Sequence, residues 1–379
     1  MVRHYIRSCL RHSLLFRMPH TSVNQVGKST LSSVVQPNYI YTSASSQTAS
    51  LVTQQTMLAL QVSKFSSTSE DIPSKPSLNV VSLPIPSPAP GSLLLKIHAS
   101  LINPSDAANA TGYFPYTTFP RVVGRDFAGT VVSGPAHLLD QRVFGTSGRE
   151  FSFTQDGAHA EYCVLPEEDV VVIPENLSFI QAATIGVPFT TAWIAVERAR
   201  VTAEDTVLVI GAYGAVGTAV CQIARARGAR VITAARRDTA DVNLLADPSM
   251  EGVKALTVGE GPSVVVDTVG DVDMMRHGLD ILAKRGRLSY ISAPKNFDAQ
   301  FSFNMKAVYR AEKEIIGCNS LNYTMKEMAD VLRKLAPGFS KGEYRTLEGK
   351  IAKVKLGQEA LDAYRAIRAG KSGKFMICP

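Results

Sequence analysis

Short apolar stretches of strand length follow one another from Met57 onward. Some of these stretches alternate polar and apolar residues and others are apolar without interruption, and β-branched residues are frequent in them. They are LALQVSKF (58–65), SLLLKIHASLI (92–102) and RVVGRDFAGTVV (121–132). The segments between them, SLPIPSPAPG (82–91) and NATGYFPYTTFP (109–120), are rich in Pro, Gly and Asn and predict turns. The pattern predicts a β-rich domain that reaches residue 188.

From residue 189 onward, helical patterns alternate with strands that are apolar throughout. The predicted helices cover 189–199, 215–227, 273–284 and 358–370. The predicted strands are TVLVIG (206–211), ARVITAA (229–235), SVVVDTVG (263–270), GRLSYIS (286–292) and the closing KFMICP. Fully apolar strands connected by helices indicate a parallel sheet that is covered on both faces. We therefore predict an α/β protein with a doubly wound parallel sheet.

The first 56 residues have a different composition. Residues 1–56 are rich in Ser, Thr and Arg and contain no Asp or Glu. If residues 2–16 form a helix, Arg3, Arg7 and Arg11 share one face and apolar residues share the opposite one. A basic, amphipathic start without acids is typical of a mitochondrial transit peptide. The alternatives are a disordered extension or a true start at Met57.

The net charge of +7 belongs to this same end of the chain. Residues 1–69 hold six of the 40 Lys and Arg, which leaves 34 basic residues against 33 acidic ones in the remainder. The nearly neutral remainder predicts no nucleic-acid partner. The sequence contains no run of eighteen apolar residues, so it predicts no transmembrane helix. The five cysteines form no CxxC pair, which argues against a zinc knuckle or a disulfide framework.

A glycine-rich turn between a strand and a helix gives the strongest local signal. The apolar strand ends at Ile210, and the sequence Ala212-Tyr213-Gly214-Ala215-Val216-Gly217 follows. Gly214 allows close approach of a pyrophosphate, and Gly217 allows the helix to pack closely on the sheet. The helix N-terminus adds free N–H groups and positive dipole. The context predicts a dinucleotide site, with Ala in place of the usual first glycine.

The end of the second strand of this unit favours NADPH. An NAD site places an acid there, about twenty residues beyond the glycines, to bind the ribose 2′-hydroxyl. This chain has Arg236 and Arg237 at that position, followed by Asp238. A guanidinium binds a 2′-phosphate through two hydrogen bonds, which predicts NADPH as cofactor. The alternative is a pair of surface charges.

Ordered sequence blocks resemble the medium-chain dehydrogenase/reductase superfamily from Met57 to Pro379. The blocks are LKIHASLINPSDAANATGYFP, PRVVGRDFAGTVV with Gly124, Asp126 and Gly129, DQRVFG, GAHAEYCVLP, IGVPFTTAW, GAYGAVG, DTVG and GKSGKFMICP. The resemblance implies a Rossmann cofactor domain and a β-rich GroES-like catalytic domain. It also implies a homodimer.

Both zinc sites of the alcohol dehydrogenases in this family are missing from the pattern. Asp106 and Arg125 occupy two of the catalytic ligand positions, and the four-cysteine lobe is absent. The chain is most similar to the zinc-free, quinone oxidoreductase-like branch. This similarity implies NADPH-dependent hydride transfer to a quinone or an α,β-unsaturated carbonyl, with no metal. The alternatives are a mitochondrial enoyl-thioester reductase, and a non-catalytic NADPH-binding protein.

The resemblance also assigns individual residues. The predicted catalytic residues, at the nicotinamide end, are Asn103, Asp106 and Tyr113. The predicted cofactor-binding residues are Thr190, Gly214, Ala215, Val216, Gly217, Arg236, Arg237, Ser292 and Lys374, and Thr191 is expected beside Thr190. Phe114 and Trp193 join Tyr113 as candidate pocket walls or core aromatics. Asn103, Asp106 and Thr190 have an alternative role as turn or helix caps, and Lys374 as a surface charge.

The resemblance gives four segments. These are an extension (1–56), a β-rich catalytic domain (57–188), a dinucleotide-binding domain (189–320) and a C-terminal return to the catalytic domain (321–379).

Overall fold

The structure of the protein is a computed structural model that describes residues 55–64, 76–294, 299–347, 351–371 and 373–379. These residues belong to one compact unit, Thr53–Pro379. The predicted leader lies outside the described residues except for its last two positions.

Strands prevail in the first half of the described chain, and helices alternate with strands in the second half. The strands are β1 (Thr56–Lys64), β2 (Pro76–Pro84), β3 (Ser92–Leu101), β4 (Arg121–Val122), β5 (Asp126–Ser133), β6 (Arg142–Thr146), β7 (Tyr162–Pro166), β8 (Val171–Val172), β9 (Thr206–Ile210), β10 (Arg230–Ala235), β11 (Val242–Asn243), β12 (Val264–Asp267), β13 (Arg287–Tyr290), β14 (Glu314–Gly317), β15 (Ile351–Lys355) and β16 (Lys374–Cys378). The helices are α1 (Pro104–Asn109), α2 (Phe179–Ala182), α3 (Gly186–Arg198), α4 (Ala215–Ala226), α5 (Gly252–Leu256), α6 (Val272–Ile281), α7 (Met305–Arg310), α8 (Met325–Ser340) and α9 (Gln358–Arg368).

A parallel sheet in the order β11-β10-β9-β12-β13-β14 carries the predicted doubly wound topology. Its central strands β9 and β12 are almost entirely buried, because helices cover both faces of such a sheet. The strand order reverses direction between β9 and β12. A crevice opens at the carboxyl ends of the strands at such a switch point, and ligands of this fold class bind there.

The β-rich region consists of a larger, mostly antiparallel sheet and a small three-stranded one. The larger sheet has the order β15-β16-β3-β5-β6-β8, and β7 pairs with β3. The smaller sheet has the order β2-β1-β4. The last strand of the chain, β16, pairs with β3 and thus lies beside the β-rich sheet from the first half of the chain.

Three of the differences from the sequence prediction concern the stretch 121–132, strand β2 and helix α8. The stretch 121–132 is two strands rather than one, because Gly124 adopts φ +106° and breaks the extended backbone. Strand β2 extends into the stretch 82–91 that predicted only turns. Helix α8 was not predicted, and its Pro337 and Gly338 explain why: both residues argue against a helix, yet they lie in its last turn.

One described stretch, Phe179–Arg198, is long and apolar enough to cross a membrane. However, 78% of its most apolar window is buried inside the protein, as in a core helix.

Candidate active site

A cleft of about 1230 Å³ joins the crevice of the parallel sheet to the β-rich region. Residues from α1 and the loop after it form one wall, and the turns after β9, β12 and β13 form the other. The predicted site residues on its surface are Asn103, Tyr113, Thr191, Gly214, Ala215, Val216 and Ser292, together with Phe114 and Arg125. The fold therefore brings most of the predicted nicotinamide-end and turn residues together.

The glycine-rich turn has the geometry of a pyrophosphate cradle. Gly211 follows β9 with φ +79°, and Gly214 is the N-cap of the twelve-residue helix α4 without a side-chain capping bond. The first N–H groups of α4 are therefore available to a phosphate. A Cβ at Gly217 would lie 2.1 Å from the carbonyl oxygen of Gly211, so only glycine fits this crossing. Gly211 makes the tight turn, and the sequence analysis missed it because it looked for a glycine at Ala212.

A groove of about 380 Å³ continues from this turn along the end of β10. It is lined by Gly211, Tyr213, Gly214, Ala235, Arg236, Arg237, Leu244, Val269 and Met274. No carboxylate is among these lining residues. The Asp238 side chain instead accepts a hydrogen bond from Asn243 Nδ2 at 2.6 Å. The groove thus offers apolar walls and two guanidinium groups, which suit an adenine and a phosphate.

Arg237 lines this groove, and Lys374 is near Arg237. The Arg237 guanidinium carbon lies 5.2 Å from the centroid of the Tyr213 ring, and the Tyr213 hydroxyl donates to the Thr239 carbonyl at 2.8 Å. Lys374 opens β16 and does not line the groove. Burial lowers the pKa of Lys374, and the charge of Arg237 lowers it further. The positive charges of Lys374 and Arg237 are therefore near enough to influence each other.

Thr190 and Trp193 do not reach the cleft. Thr190 is buried, and its hydroxyl donates to the carbonyl of Gly186 at 2.9 Å within α3. The neighbouring Thr191 lines the cleft and replaces it as the candidate. Trp193 is on another face of the same helix, where Arg227 and Lys334 lie over its ring. Thr191 and Trp193 are two positions apart on one helix and therefore do not share a face.

Asp106 also departs from its predicted role. It is fully buried and is absent from the cleft lining, and its Oδ2 accepts the Asn103 N–H at 2.8 Å. It therefore caps the start of α1, which was the alternative interpretation. Burial raises the pKa of Asp106 to about 7, although the nearby Arg125 opposes the rise. In the described part of the chain its Oδ1 has no hydrogen-bond partner.

Asn103 lines the cleft at the same helix start. Its Nδ2 donates to Asp126 Oδ2 at 2.8 Å, and Asp126 Oδ1 accepts the N–H of Val187 at 2.8 Å. Asp126 is completely buried. This carboxylate therefore joins the β-rich region to the start of α3 and fixes the Asn103 amide in the cleft wall.

An aromatic cluster forms the outer wall. Tyr113, Phe114 and Tyr116 line the cleft, and Phe114 packs edge-on against Phe153 with 5.3 Å between ring centroids. Tyr113 is 40% exposed. Burial raises the pKa of Tyr116 to about 12, so this phenol keeps its proton at neutral pH. These rings offer an apolar surface to a flat acceptor.

Arg125 is the functional candidate that the sequence analysis missed. It was treated only as the loss of a zinc ligand, yet it is a buried cation in the cleft wall. Among the described residues no group of three His, Cys, Asp or Glu side chains could hold a metal ion. Since a catalytic zinc takes three protein ligands, these residues do not fit one.

Two family models match the chain. The model described as "Alcohol dehydrogenase GroES-like domain" matches residues 89–175, and the model described as "Zinc-binding dehydrogenase" matches residues 215–336. A zinc-type alcohol dehydrogenase-like protein of Schizosaccharomyces pombe is 51% identical over 300 residues, which cover 79% of this chain and 92% of that protein.

Two further relatives are more distant. The quinone oxidoreductase of Homo sapiens is 28% identical over 312 residues, which cover 77% of this chain and 91% of that protein. A solved alcohol dehydrogenase superfamily protein from Novosphingobium aromaticivorans has a TM-score of 0.71 at 25% identity, with 85% of this chain and 99% of that chain covered.

Proposed function

The chain belongs to the medium-chain dehydrogenase/reductase superfamily and is an oxidoreductase of that family, and we propose that it uses NADPH to reduce a quinone or an α,β-unsaturated carbonyl without zinc. One observation carries the proposal. A single cleft combines a pyrophosphate cradle and an adjoining basic groove with an acceptor end that has no set of three metal ligands among the described residues.

Different residues of the chain would bind different parts of the cofactor and the acceptor. The free N–H groups at the start of α4 would hold the pyrophosphate, and Arg236 would bind the 2′-phosphate. Thr191 and Ser292 would contact the middle of the cofactor from the cleft walls. When bound, the reduced nicotinamide supplies a hydride. Asn103 and the rings of Tyr113 and Phe114 would orient the acceptor and exclude water.

The acceptor class follows from the chemistry of the wall. A simple ketone accepts a hydride readily only when its carbonyl is polarised, for example by zinc or by a general acid. Quinones and enones are electron-deficient themselves, and the aromatic wall offers them a flat apolar contact. The human relative is named as a quinone oxidoreductase, which supports this class, whereas the Schizosaccharomyces pombe relative carries a zinc-type name.

A panel of acceptors tests the function. Full-length protein would be assayed for NADPH and NADH oxidation with a simple quinone, an enone, a long-chain enoyl thioester and a ketone, and its zinc content would be measured. We expect turnover of the quinone or the enone, and less than 0.1 zinc per chain, roughly one tenth of a full site. Preference for the thioester would favour an enoyl-thioester reductase. Absence of turnover with every acceptor would favour a non-catalytic NADPH-binding protein.

We further propose that the protein is a mitochondrial homodimer. Strand β14 lies last in the described sheet order, next to α7, where Met305 and Tyr309 are each 78% exposed. An open strand edge with exposed apolar side chains suits a second copy of the chain. Sedimentation of the purified protein tests the dimer. A reporter fused to residues 1–60 tests the targeting, and diffuse cytosolic fluorescence would contradict it.

A further inference from the structure

In the described part of the chain, Arg125 is a buried cation whose side-chain hydrogen bonds all go to neutral groups. The residue is 3% exposed. Its Nε donates to Ser147 Oγ at 2.6 Å, its Nη1 to Ser105 Oγ at 3.0 Å, and its Nη2 to Ser320 Oγ at 3.3 Å. All three acceptors are neutral hydroxyl groups. Burial of a charge is costly unless an opposite charge or strong hydrogen bonds compensate, so this arrangement needs an explanation.

The surroundings hold the guanidinium at the surface of the cleft. Ser105 and Ser320 line the cleft themselves and come from opposite sides of it, α1 and the segment after β14. The Phe153 ring supports the group from 5.7 Å. A guanidinium has five N–H bonds, of which three are used by these serines, so donors remain for an oxygen atom in the cleft.

Acidic groups near Arg125 oppose the effect of burial on its pKa. Burial lowers the pKa of Arg125, whereas Asp106, Asp126 and Tyr116 oppose that change. An arginine stays charged throughout the ordinary pH range. The wall therefore presents a fixed positive charge, in a place shielded from water, where electrostatic interactions are strong.

We propose that Arg125 is a catalytic residue that binds the carbonyl oxygen of the acceptor and stabilises the negative charge which hydride addition places on it. This proposal rests on the proposed function. The hydride forms a C–H bond at the β-carbon, and the electron pair of the carbon–carbon double bond moves toward the carbonyl oxygen. The nicotinamide is oxidised and the acceptor is reduced. Arg125 donates hydrogen bonds to the resulting enolate oxygen or hydroquinone-anion oxygen, and a solvent proton completes the product.

A coloured oxyanion tests this assignment without turnover. The anion of p-nitrophenol is yellow and the neutral phenol is colourless, so absorbance reports which form is bound. Full-length protein saturated with NADP⁺ would be titrated with p-nitrophenol at a pH where most of the free phenol is neutral. We expect the bound probe to be the yellow anion. Binding of the neutral form alone to the wild-type protein would overturn the proposal.

Two variants and a matched control sharpen the test. Arg125→Met should weaken binding of the anion by roughly tenfold to a hundredfold, the range for a hydrogen bond with a charged partner. Arg125→Lys keeps the charge and should restore part of the loss. Arg142→Met is the control, because Arg142 also donates to a neutral acceptor, the Leu177 carbonyl, and lies over a ring, but does not line the cleft.

Binding of NADP⁺ separates this role from a structural one. Its dissociation constant should be the same in the wild type and both Arg125 variants, while kcat for the acceptor falls in Arg125→Met. Equal affinity of Arg125→Met and wild type for the anion would overturn the proposal. Since the titration needs no turnover, failure to reduce any acceptor would count against the proposed function alone.

Discussion

The two ends of the cleft both use arginine, but in opposite environments. Arg236 and Arg237 at the proposed adenosine end are exposed and adjacent in sequence, and they follow a single strand. Arg125 at the proposed nicotinamide end is buried, and one of its partners, Ser320, is 195 residues away in the chain. An exposed cation is screened by water and salt and suits recognition of a permanent phosphate charge. A buried cation acts strongly on charge that appears during a reaction.

The two environments predict different responses to amino-acid substitution. The buried end is a network in which several polar groups are hydrogen-bonded to one another, so removing one member leaves others unpaired. At the exposed end, water can take over the hydrogen bonds of a side chain that is removed. We therefore expect substitutions at the buried end to affect folding, and substitutions at the exposed end to affect only affinity.

The largest effect is expected for Asp126→Ala. This buried carboxylate accepts from Asn103 Nδ2 and from the Val187 N–H, and both donors would lose their partner. Removal of one partner from a buried charged network costs about 3–5 kcal/mol, so chemical denaturation should show a loss of that size. Asp156→Ala is the control. Asp156 also accepts a backbone N–H, from Val122, but it is on the surface, where we expect a loss of about 1 kcal/mol or less. Similar losses for both variants would contradict the contrast between buried and exposed polar groups.

The same contrast explains what the sequence could predict. The Gly214–Gly217 turn and Arg236 are local: a strand, a turn and a helix of about 30 consecutive residues contain them, and their meaning follows from that context. The parallel sheet was predictable because β9 and β12 are continuous apolar runs. Patterns of this kind depend on neighbours in sequence.

The buried end could not be predicted in this way. The contacts of Arg125 come from α1, the residue after β6 and a turn near residue 320, and only the folded chain brings them together. Asp106 and Thr190 have residue types that suit catalysis or binding, and their inward orientation depends on helix phase and packing. Asp238 follows the two arginines in sequence, and the sequence alone does not show whether its carboxylate faces the groove. In the structure it accepts a hydrogen bond from Asn243 and does not line the groove.

A pH titration tests two buried groups with opposite behaviour, Asp106 at the start of α1 and His159 in the segment before β7. Burial raises the pKa of Asp106 to about 7, so the folded state keeps a proton that the unfolded state loses above pH 3.8. This contribution to stability is therefore lost as the pH rises toward 7. Burial lowers the pKa of His159 to about 3 from 6.5, so its contribution is lost as the pH falls below 6.5. The two contributions oppose each other between these limits.

Single substitutions separate the two titrations. Relative to the wild type, Asp106→Asn should gain about 1.4 kcal/mol of unfolding free energy per pH unit as the pH rises from about 4 to about 7. His159→Gln should show the opposite slope and gain as the pH falls below about 6.5. Urea denaturation at several pH values measures both. A flat difference for Asp106→Asn would mean that this carboxyl group is ionised in the fold at low pH.

At the exposed end, Arg236→Ala should affect only the cofactor that carries a 2′-phosphate. A hydrogen bond to a charged partner contributes about 1.5–3 kcal/mol, which corresponds to a loss of roughly tenfold to a hundredfold in NADPH affinity. NADH has no such phosphate and should bind as before, and folding should be unchanged because the side chain is exposed. Fluorescence titration with both cofactors measures this. Equal losses for NADPH and NADH, or a wild-type preference for NADH, would show that the arginines are ordinary surface charges.

The smallest effect is expected from the ring that supports Arg237. The Tyr213 ring lies 5.2 Å from the Arg237 guanidinium, and a cation–π contact at an exposed site contributes about 0.5–1 kcal/mol. Tyr213→Leu removes the ring and should weaken NADPH binding roughly twofold to fivefold through the loss of a fixed guanidinium orientation. Tyr213→Phe keeps the ring and removes only the hydrogen bond to the Thr239 carbonyl, so it should bind NADPH nearly as well as the wild type. If Tyr213→Leu weakens NADH to the same extent, the ring contacts a part that both cofactors share and does not orient Arg237. If Tyr213→Leu weakens NADPH binding alone, then the orientation of Arg237 depends on its contact with the ring. The two ends of the cleft would then differ only in how strongly packing fixes their arginines.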